Sequence, residues 1–227
     1  MPESRVVTPS LPRLASLLLL GLLALPALAT DTPRPTVAVL SFDYVGRDDE
    51  MKPLGKGLAQ MLITDLSGLE SVRLVERERL QEIIDELKLG RSDKFDQATV
   101  ARIGKLVGAH YLVMGSYFDM MDHLRVDARV VQLETGLIRS TGATGRPDEF
   151  LMLEQKLARQ LGDILGESKP PPKKPGKLTT KTALRYARAL DAKDRKDLET
   201  AKKELTEVVK EQPDFVLAST DLARLMK

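Results

Sequence analysis

The chain has 227 residues, a net charge of +2 at pH 7, and neither Trp nor Cys. The absence of cysteine excludes disulfides, thiolate metal sites, a cysteine nucleophile and the acylated cysteine on which a bacterial lipoprotein depends. Because aromatic residues make up only 4% of the chain, its core must be built from Leu, Val, Ile and Met.

Residues 1–29 have the pattern of a secretory signal peptide. A weakly basic leader precedes an apolar run at residues 14–24, and Ala27 and Ala29 supply the small residues read by a signal peptidase. The apolar run is nearer to ~15 residues than to the ~20 that span a bilayer, which favours cleavage over an uncleaved anchor. We therefore expect an exported, periplasmic protein.

The first half of the expected domain alternates strands with helices. Residues 36–42 are an apolar run rich in β-formers, typical of a strand covered on both faces. A helix follows over residues 54–69, with its apolar residues on one stripe. Residues 72–75 form a second short strand, and residues 76–87 a second helix. A third helix is predicted between a cap at Asp96 and a terminator at Gly108.

The second half begins with the most regular stretch of the chain. Residues 111–118 predict a strand, and apolar and charged residues then alternate over residues 124–130, so one face should be packed and the other wet. A turn leads into residues 137–144, which completes a three-stranded antiparallel meander. A last helix covers residues 148–165. The order β-α-β-α-α-β-β-β-α predicts an α/β (α+β) fold with a mixed sheet and helices on its faces.

Composition divides the chain into four segments. The signal peptide (1–29) is followed by an α/β domain (30–167), a Pro/Lys-rich linker (168–178) and a helical segment (179–227). The linker should favour extended polyproline II and act as a spacer. The charge is uneven, because residues 30–167 carry 18 Lys and Arg against 23 Asp and Glu, whereas residues 168–227 carry 15 against 9.

Four blocks of the α/β segment resemble the CsgG-like family of curli production assembly/transport components. They are VAVLSF at 37–42, GKGLAQMLITDL at 55–66, LVERERL at 74–80 and GAHYLVMGS at 108–116. The resemblance extends over about residues 36–166. It implies a soluble periplasmic core of a family that includes an oligomeric outer-membrane secretion channel.

The chain departs from that channel in two respects. It has no cysteine to carry a lipid, and its meander has no room for membrane-spanning hairpins, whose strands each need ~9–11 residues. The helical segment resembles a single tetratricopeptide repeat in the spacing of six residues: Ala201, Leu205, Val208, Pro213, Phe215 and Ala218. One repeat is below the ~3 that a free-standing solenoid needs. We therefore expect a small helical hairpin that packs on the α/β domain, pairs with another copy or stands alone.

No catalytic, cofactor-binding or metal-binding constellation is predicted. Residues 45–57 contain glycines and a lysine but do not fit the phosphate-loop spacing. His110 and His123 stand outside any metal-ligand motif. The acidic excess of residues 30–167 and the few aromatic residues argue against nucleic-acid binding. No transmembrane helix is expected after the leader.

These observations predict a non-enzymatic periplasmic assembly or scaffolding factor that acts by protein–protein contacts. Its partners would be envelope proteins or further copies of itself, and an association with the outer membrane stays open. Arg125, Arg129, Arg185 and Arg188 are the predicted partner contacts. Two alternatives remain: a subunit of an outer-membrane secretion channel or ring for fibre export, and a periplasmic protein that binds a small ligand.

Overall fold

A mixed β-sheet organises the chain in the computed structural model, which describes residues 34–87, 97–167 and 176–227. Its strands are β1 (Thr36–Val39), β2 (Asp43–Tyr44), β3 (Arg73–Leu74), β4 (Tyr111–Met120), β5 (His123–Gln132) and β6 (Ile138–Gly145). The strand order is β3-β1-β4-β5-β6, with β2 pairing with β4 beyond the end of β1. β1 is parallel to β3 and β4, whereas β4, β5 and β6 form an antiparallel meander.

Seven α-helices accompany the strands in the described residues. They are α1 (Leu54–Leu66), α2 (Arg77–Glu86), α3 (Gln97–Val107), α4 (Phe150–Ile164), α5 (Thr180–Asp194), α6 (Leu198–Glu211) and α7 (Val216–Leu225). The predicted α/β (α+β) class, the mixed sheet and the meander are confirmed. The two-residue strand β2 is an addition, because so short a segment leaves no periodicity in the sequence.

The first face of the sheet carries the larger core. α1 and α4 pack on it, and Val37 and Val39 of β1 meet Leu58 and Leu62 of α1 there. The buried side chains of β5 join the same core, which fixes the register of the meander. Phe42, Tyr117 and Phe150 are its largest fully buried residues.

The second face carries a smaller core. α2 and α3 cover it, with Leu80 and Ile103 packed against Ala38, Leu40 and Leu112. β1 therefore contributes alternate residues to two cores, which confirms the prediction of a strand covered on both faces. Gly108, at φ +64°, follows α3 as expected for a left-handed helix terminator.

The last three helices form a tail that packs on the body. We call residues 34–167 the body and helices α5–α7 the tail. The tail has its own apolar cluster, which includes Tyr186, Leu190, Leu205 and Val208, and α5 also lies against α1. Residues 34–227 belong to one compact unit. Residues 1–33, which include Ala27 and Ala29, and residues 168–175 of the predicted linker lie outside the described residues, as does Asp96.

Candidate functional site: an open sheet face

One side of the meander is left accessible to solvent. Val126, Ala128 and Val130 of β5 are buried in the larger core, so the residues that alternate with them point to the other side of the sheet. There the side chains from β5 and β6 are exposed or half-buried. We call this surface the open face, and its residues are Ser116, Phe118, Arg125, Asp127, Arg129, Ser140, Gly142 and Thr144.

An ion pair lies across the centre of the open face. Arg125 donates from Nη2 to Asp127 Oδ1 at 2.7 Å and from Nε to the same oxygen at 3.1 Å. Gly142 is the residue opposite Asp127 on β6, and a Cβ there would lie 2.7 Å from Asp127 Oδ1. The missing side chain lets the pair lie flat on the sheet. Its hydrogen bonds to Asp127 raise the pKa of Arg125.

Arg129 is the second cation of the open face. It lies opposite Ser140 of β6 and Met114 of β4, and its side chain is exposed. Within the described parts of the chain it forms no ion pair, in contrast to Arg125. The structure therefore brings two of the four predicted contact residues together and leaves one of them with its charge available.

The other two predicted contact residues lie in the tail, on α5. Arg185 faces three glutamates of α6, and its closest contact is Nη1 to Glu211 Oε1 at 3.0 Å. Arg188 reaches the body, where Nη2 donates to Glu50 Oε2 at 2.7 Å. Both side chains thus form ion pairs within the chain. Their predicted role as partner contacts stays a prediction.

A largely buried charge network joins the tail to the body. Lys56 Nζ of α1 lies 2.9 Å from Asp191 Oδ1 and 2.6 Å from Asp194 Oδ2, both on α5. Arg77 Nη1 of α2 donates to the same Asp194 oxygen at 2.9 Å. Arg77 and Asp191 are each 5% exposed. We call these residues, with Glu78 and Lys193, the junction network.

Glu78 and Lys193 lie at the outer edge of the junction network. Lys193 Nζ donates to Glu78 Oε1 at 3.0 Å. Burial raises the pKa of Glu78, but the hydrogen bond from Lys193 and the charge of Arg77 outweigh it, so the net pKa is lowered. The carboxylate is thereby held in its charged form beside two cations.

A glycine makes the close approach of the two helices possible. A Cβ on Gly57 of α1 would lie 2.8 Å from the Cβ of Ala187 on α5, closer than side chains normally approach. Sequence reasoning missed this junction, because a charged residue off the apolar stripe of a helix, such as Lys56 or Glu78, has the pattern of a solvated side chain. Gly57 in a good helix was the available signal, since a mid-helix glycine costs stability unless packing requires it.

The described residues hold no group of three or more His, Cys, Asp or Glu placed to bind a metal ion.

Two polar side chains in or next to β4 form hydrogen bonds with the backbone. The buried Tyr117 hydroxyl accepts a hydrogen bond from Gly55 N at 3.1 Å and donates one to Met51 O at 2.6 Å. His110 accepts a hydrogen bond from Thr36 N at 3.0 Å through Nδ1, which ties β1 to the entrance of β4. Over the described parts of the chain, every helix is too short or too polar to cross a bilayer.

Comparison with known families gives one match. Residues 22–120 fit the family described as curli production assembly/transport component CsgG. The predicted resemblance is therefore confirmed for a CsgG-family domain over these residues, which begin earlier and end sooner than the expected range of 36–166. The tetratricopeptide-like repeat lies beyond the match and stays a prediction. No curated protein sequence matches the chain.

Several solved structures are similar to part of the chain. The C-terminal domain of LpoB from Salmonella enterica is 17% identical over 50% of this chain and 83% of its own, with a TM-score of 0.42. Lipoprotein GNA1162 from Neisseria meningitidis is 12% identical over 60% and 99%, with a TM-score of 0.43. The PelC dodecamer from Paraburkholderia phytofirmans is 14% identical over 60% and 89%, with a TM-score of 0.35.

Proposed function

We propose that this chain, whose residues 22–120 match the CsgG family, is an exported, non-enzymatic assembly or scaffolding factor of the bacterial cell envelope. The family match carries the proposal, since the family is described by assembly and transport rather than by a reaction. The signal-peptide pattern of residues 1–29 supports export. The factor acts by protein–protein contacts, and the open face is their proposed location.

The chemistry of the open face suits a protein partner. Arginine is enriched at protein interfaces, where its planar guanidinium combines apolar contact with directed hydrogen bonds. Arg129 offers such a group at an exposed position, beside the hydroxyl of Ser140. Phe118 is half-buried on the neighbouring strand and adds aromatic surface. A partner that places a carboxylate over Arg129 would complement this face.

The tail is proposed as a second contact surface. Residues 168–227 carry an excess of six positive charges, the counts being 15 Lys and Arg against 9 Asp and Glu. One of these cations, Lys193, pairs with Glu78 of the body at the junction network, and exposed cations such as Lys203 remain on α6. The predicted boundaries at 167/168 and 178/179 are part of this proposal.

Site-specific crosslinking in living cells tests the location of the contact. A photoreactive amino acid at Ser140 should give a discrete crosslinked product with one envelope protein. The same amino acid at Lys156, an exposed residue of α4 on the other side of the sheet, serves as the matched control. Equal products from both positions, or none from Ser140, would count against the open face.

A charge reversal tests the role of Arg129. Arg129→Glu should reduce the Ser140 crosslink at least several-fold, because the acidic partner would then face a like charge. Lys156→Glu makes the same change of charge outside both proposed contact surfaces and should leave the crosslink unchanged. An undiminished crosslink in Arg129→Glu would show that the cation does not contribute.

Fractionation of cells tests whether the native protein is exported to the periplasm. The product should occur in the periplasm with its amino terminus at residue 30, as measured by mass spectrometry. Recovery from the cytosol with residues 1–29 attached would overturn the proposal. Recovery from carbonate-washed membranes as a ring-shaped oligomer would favour the channel subunit instead.

A further inference from the structure

A cavity of about 500 Å³ lies where the tail meets the body. Its walls come from α1, the start of α4, the segment before α5, and the start of α7. Six of its twelve lining residues have apolar side chains: Met61, Leu151, Leu178, Phe215, Val216 and Leu217. The volume falls within the range of roughly 300–1,000 Å³ that is usual for small-molecule sites.

The cavity is a cleft open to solvent, since Val216 on its wall is 70% exposed. It therefore leaves apolar surface in contact with water. Apolar walls offer water no hydrogen-bond partners, so water gains little by occupying the space. An apolar ligand would restore the dispersion contacts that the wall residues lack and remove their surface from water.

The lining also contains five polar side chains: Thr64, Lys177, Gln212, Asp214 and Thr220. Gln212 donates a hydrogen bond to one oxygen of the Asp214 carboxylate. Lys177 and Thr220 line the cavity and are exposed, so they mark its solvent-facing side. Lys177 thus supplies a cation next to an apolar interior, an arrangement suited to an amphipathic ligand with an anionic end.

A hydrocarbon chain fits this lining better than a peptide does. Every buried peptide unit brings an N–H and a C=O group, and each must find a partner or lose its hydration at a cost. Walls such as Met61, Leu178 and Leu217 supply no such partners. An alkyl chain has no polar groups that need hydrogen-bond partners.

We infer that this cavity binds a single alkyl chain that carries an anionic head group, with the chain against Met61 and Phe215 and the head group at Lys177. A free fatty acid and the acyl chain of an anionic lysolipid share this chemistry. The inference does not depend on the proposed function, since the open face is built from other residues.

Calorimetric titration of the full chain purified from its host tests the inference. Palmitate, added below its micellar concentration, should bind with one molecule per chain and a negative heat-capacity change. Lysophosphatidylglycerol, titrated in parallel, distinguishes the two sources: tighter binding of palmitate indicates a free fatty acid, and the reverse a lysolipid. Absence of saturable binding by both would overturn the inference.

Two matched threonine variants locate the site. Thr220→Phe fills the cavity from its rim and should weaken palmitate binding at least tenfold. Thr206→Phe makes the same change on the exposed surface of α6 and should leave the affinity within twofold of wild type. Unchanged binding in Thr220→Phe would place the ligand elsewhere.

A second wall variant covers the case in which Thr220→Phe does not fold. Val216 is 70% exposed and is the first residue of α7, where an acidic side chain is favourable. Val216→Asp should therefore fold, and it should weaken palmitate binding at least tenfold by placing a carboxylate at the cavity wall. Binding of palmitate as tight as in wild type would contradict the assignment.

The head-group assignment has its own test. Lys177→Gln should weaken palmitate several-fold and leave dodecanol, which has no charge, unchanged. Equal weakening of both ligands, or of neither, would rule out Lys177 as the partner of the anionic head.

Discussion

Two of the arginine–aspartate pairs in this molecule have similar geometry and different surroundings. In the junction network, Arg77 Nη1 lies 2.9 Å from Asp194 Oδ2, and the two side chains are 6% and 10% exposed. On the open face, Arg125 Nη2 lies 2.7 Å from Asp127 Oδ1, and both side chains are nearly half exposed. The contact distance therefore does not show how much each pair contributes to the free energy of unfolding.

The two pairs differ in their exposure to water, and this exposure determines how much each contributes to stability. A buried charge that loses its partner is left without water as a replacement, so breaking such a pair is costly. An exposed pair exchanges one set of hydrogen bonds for another with water, and its net contribution is about 0–1 kcal/mol. The junction network can therefore hold the tail in place, whereas the open face keeps its charges accessible to a partner.

The largest effect is expected at Asp194. Asp194→Ala removes the carboxylate shared by Lys56 and Arg77, which leaves two poorly hydrated cations at the junction. The free energy of unfolding should fall by about 3–5 kcal/mol, as measured by urea denaturation. Asp163→Ala, an exposed aspartate of α4, is the control and should change it by no more than ~0.5 kcal/mol. A fall in the free energy of unfolding of less than ~1 kcal/mol for Asp194→Ala would show that the buried pair contributes no more than an exposed one.

Two tyrosine hydroxyls test whether burial determines how much a hydrogen bond contributes to stability, and the expected effect is of intermediate size. In the tail, the buried Tyr186 hydroxyl donates to Asp221 Oδ2 at 2.7 Å. Tyr186→Phe leaves that carboxylate oxygen without its donor and should cost about 1–3 kcal/mol of unfolding free energy. Tyr44 makes the corresponding bond to Asp119 at an exposed position, so Tyr44→Phe should cost less than ~1 kcal/mol. Equal losses in thermal or urea unfolding would mean that burial is not the deciding factor.

Glu78 provides a smaller, pH-dependent effect. Its pKa is lowered in the folded protein, so its contribution to stability is fully present above the ordinary glutamate pKa of about 4.3. The contribution is lost as the pH falls through the lower folded pKa. Glu78→Gln should therefore destabilise the protein at pH 6, and its difference from wild type should shrink as the pH falls below the ordinary glutamate pKa. A difference in unfolding free energy that stays constant over this range would exclude the linkage.

The smallest effect on stability is expected at the open face. Arg125→Ala removes an exposed ion pair and should leave the urea midpoint of unfolding nearly unchanged. The same variant keeps Arg129 available, so urea denaturation and the Ser140 crosslink together separate stability from binding. A clear fall in the urea midpoint would show that the Arg125–Asp127 pair stabilises the fold.

Much of the body could be predicted from the sequence, because its signals are local. The alternation of Val126, Ala128 and Val130 with charged residues follows directly from the pleat of a strand, and it placed Arg125 and Arg129 on one side of the sheet. The junction network had no such signal. Lys56 and Asp194 are separated by 138 positions, and on its own helix Lys56 has the pattern of a solvated residue.

The amino-acid sequence by itself determined the strands and helices of the body, their order and the absence of cysteine chemistry. These follow from hydrophobic periodicity and composition, which act over a few residues. The tertiary structure alone decided that α5 lies on α1 and that an apolar cavity remains where the tail meets the body. These features depend on which distant surfaces meet, and burial then gives identical side chains different energies.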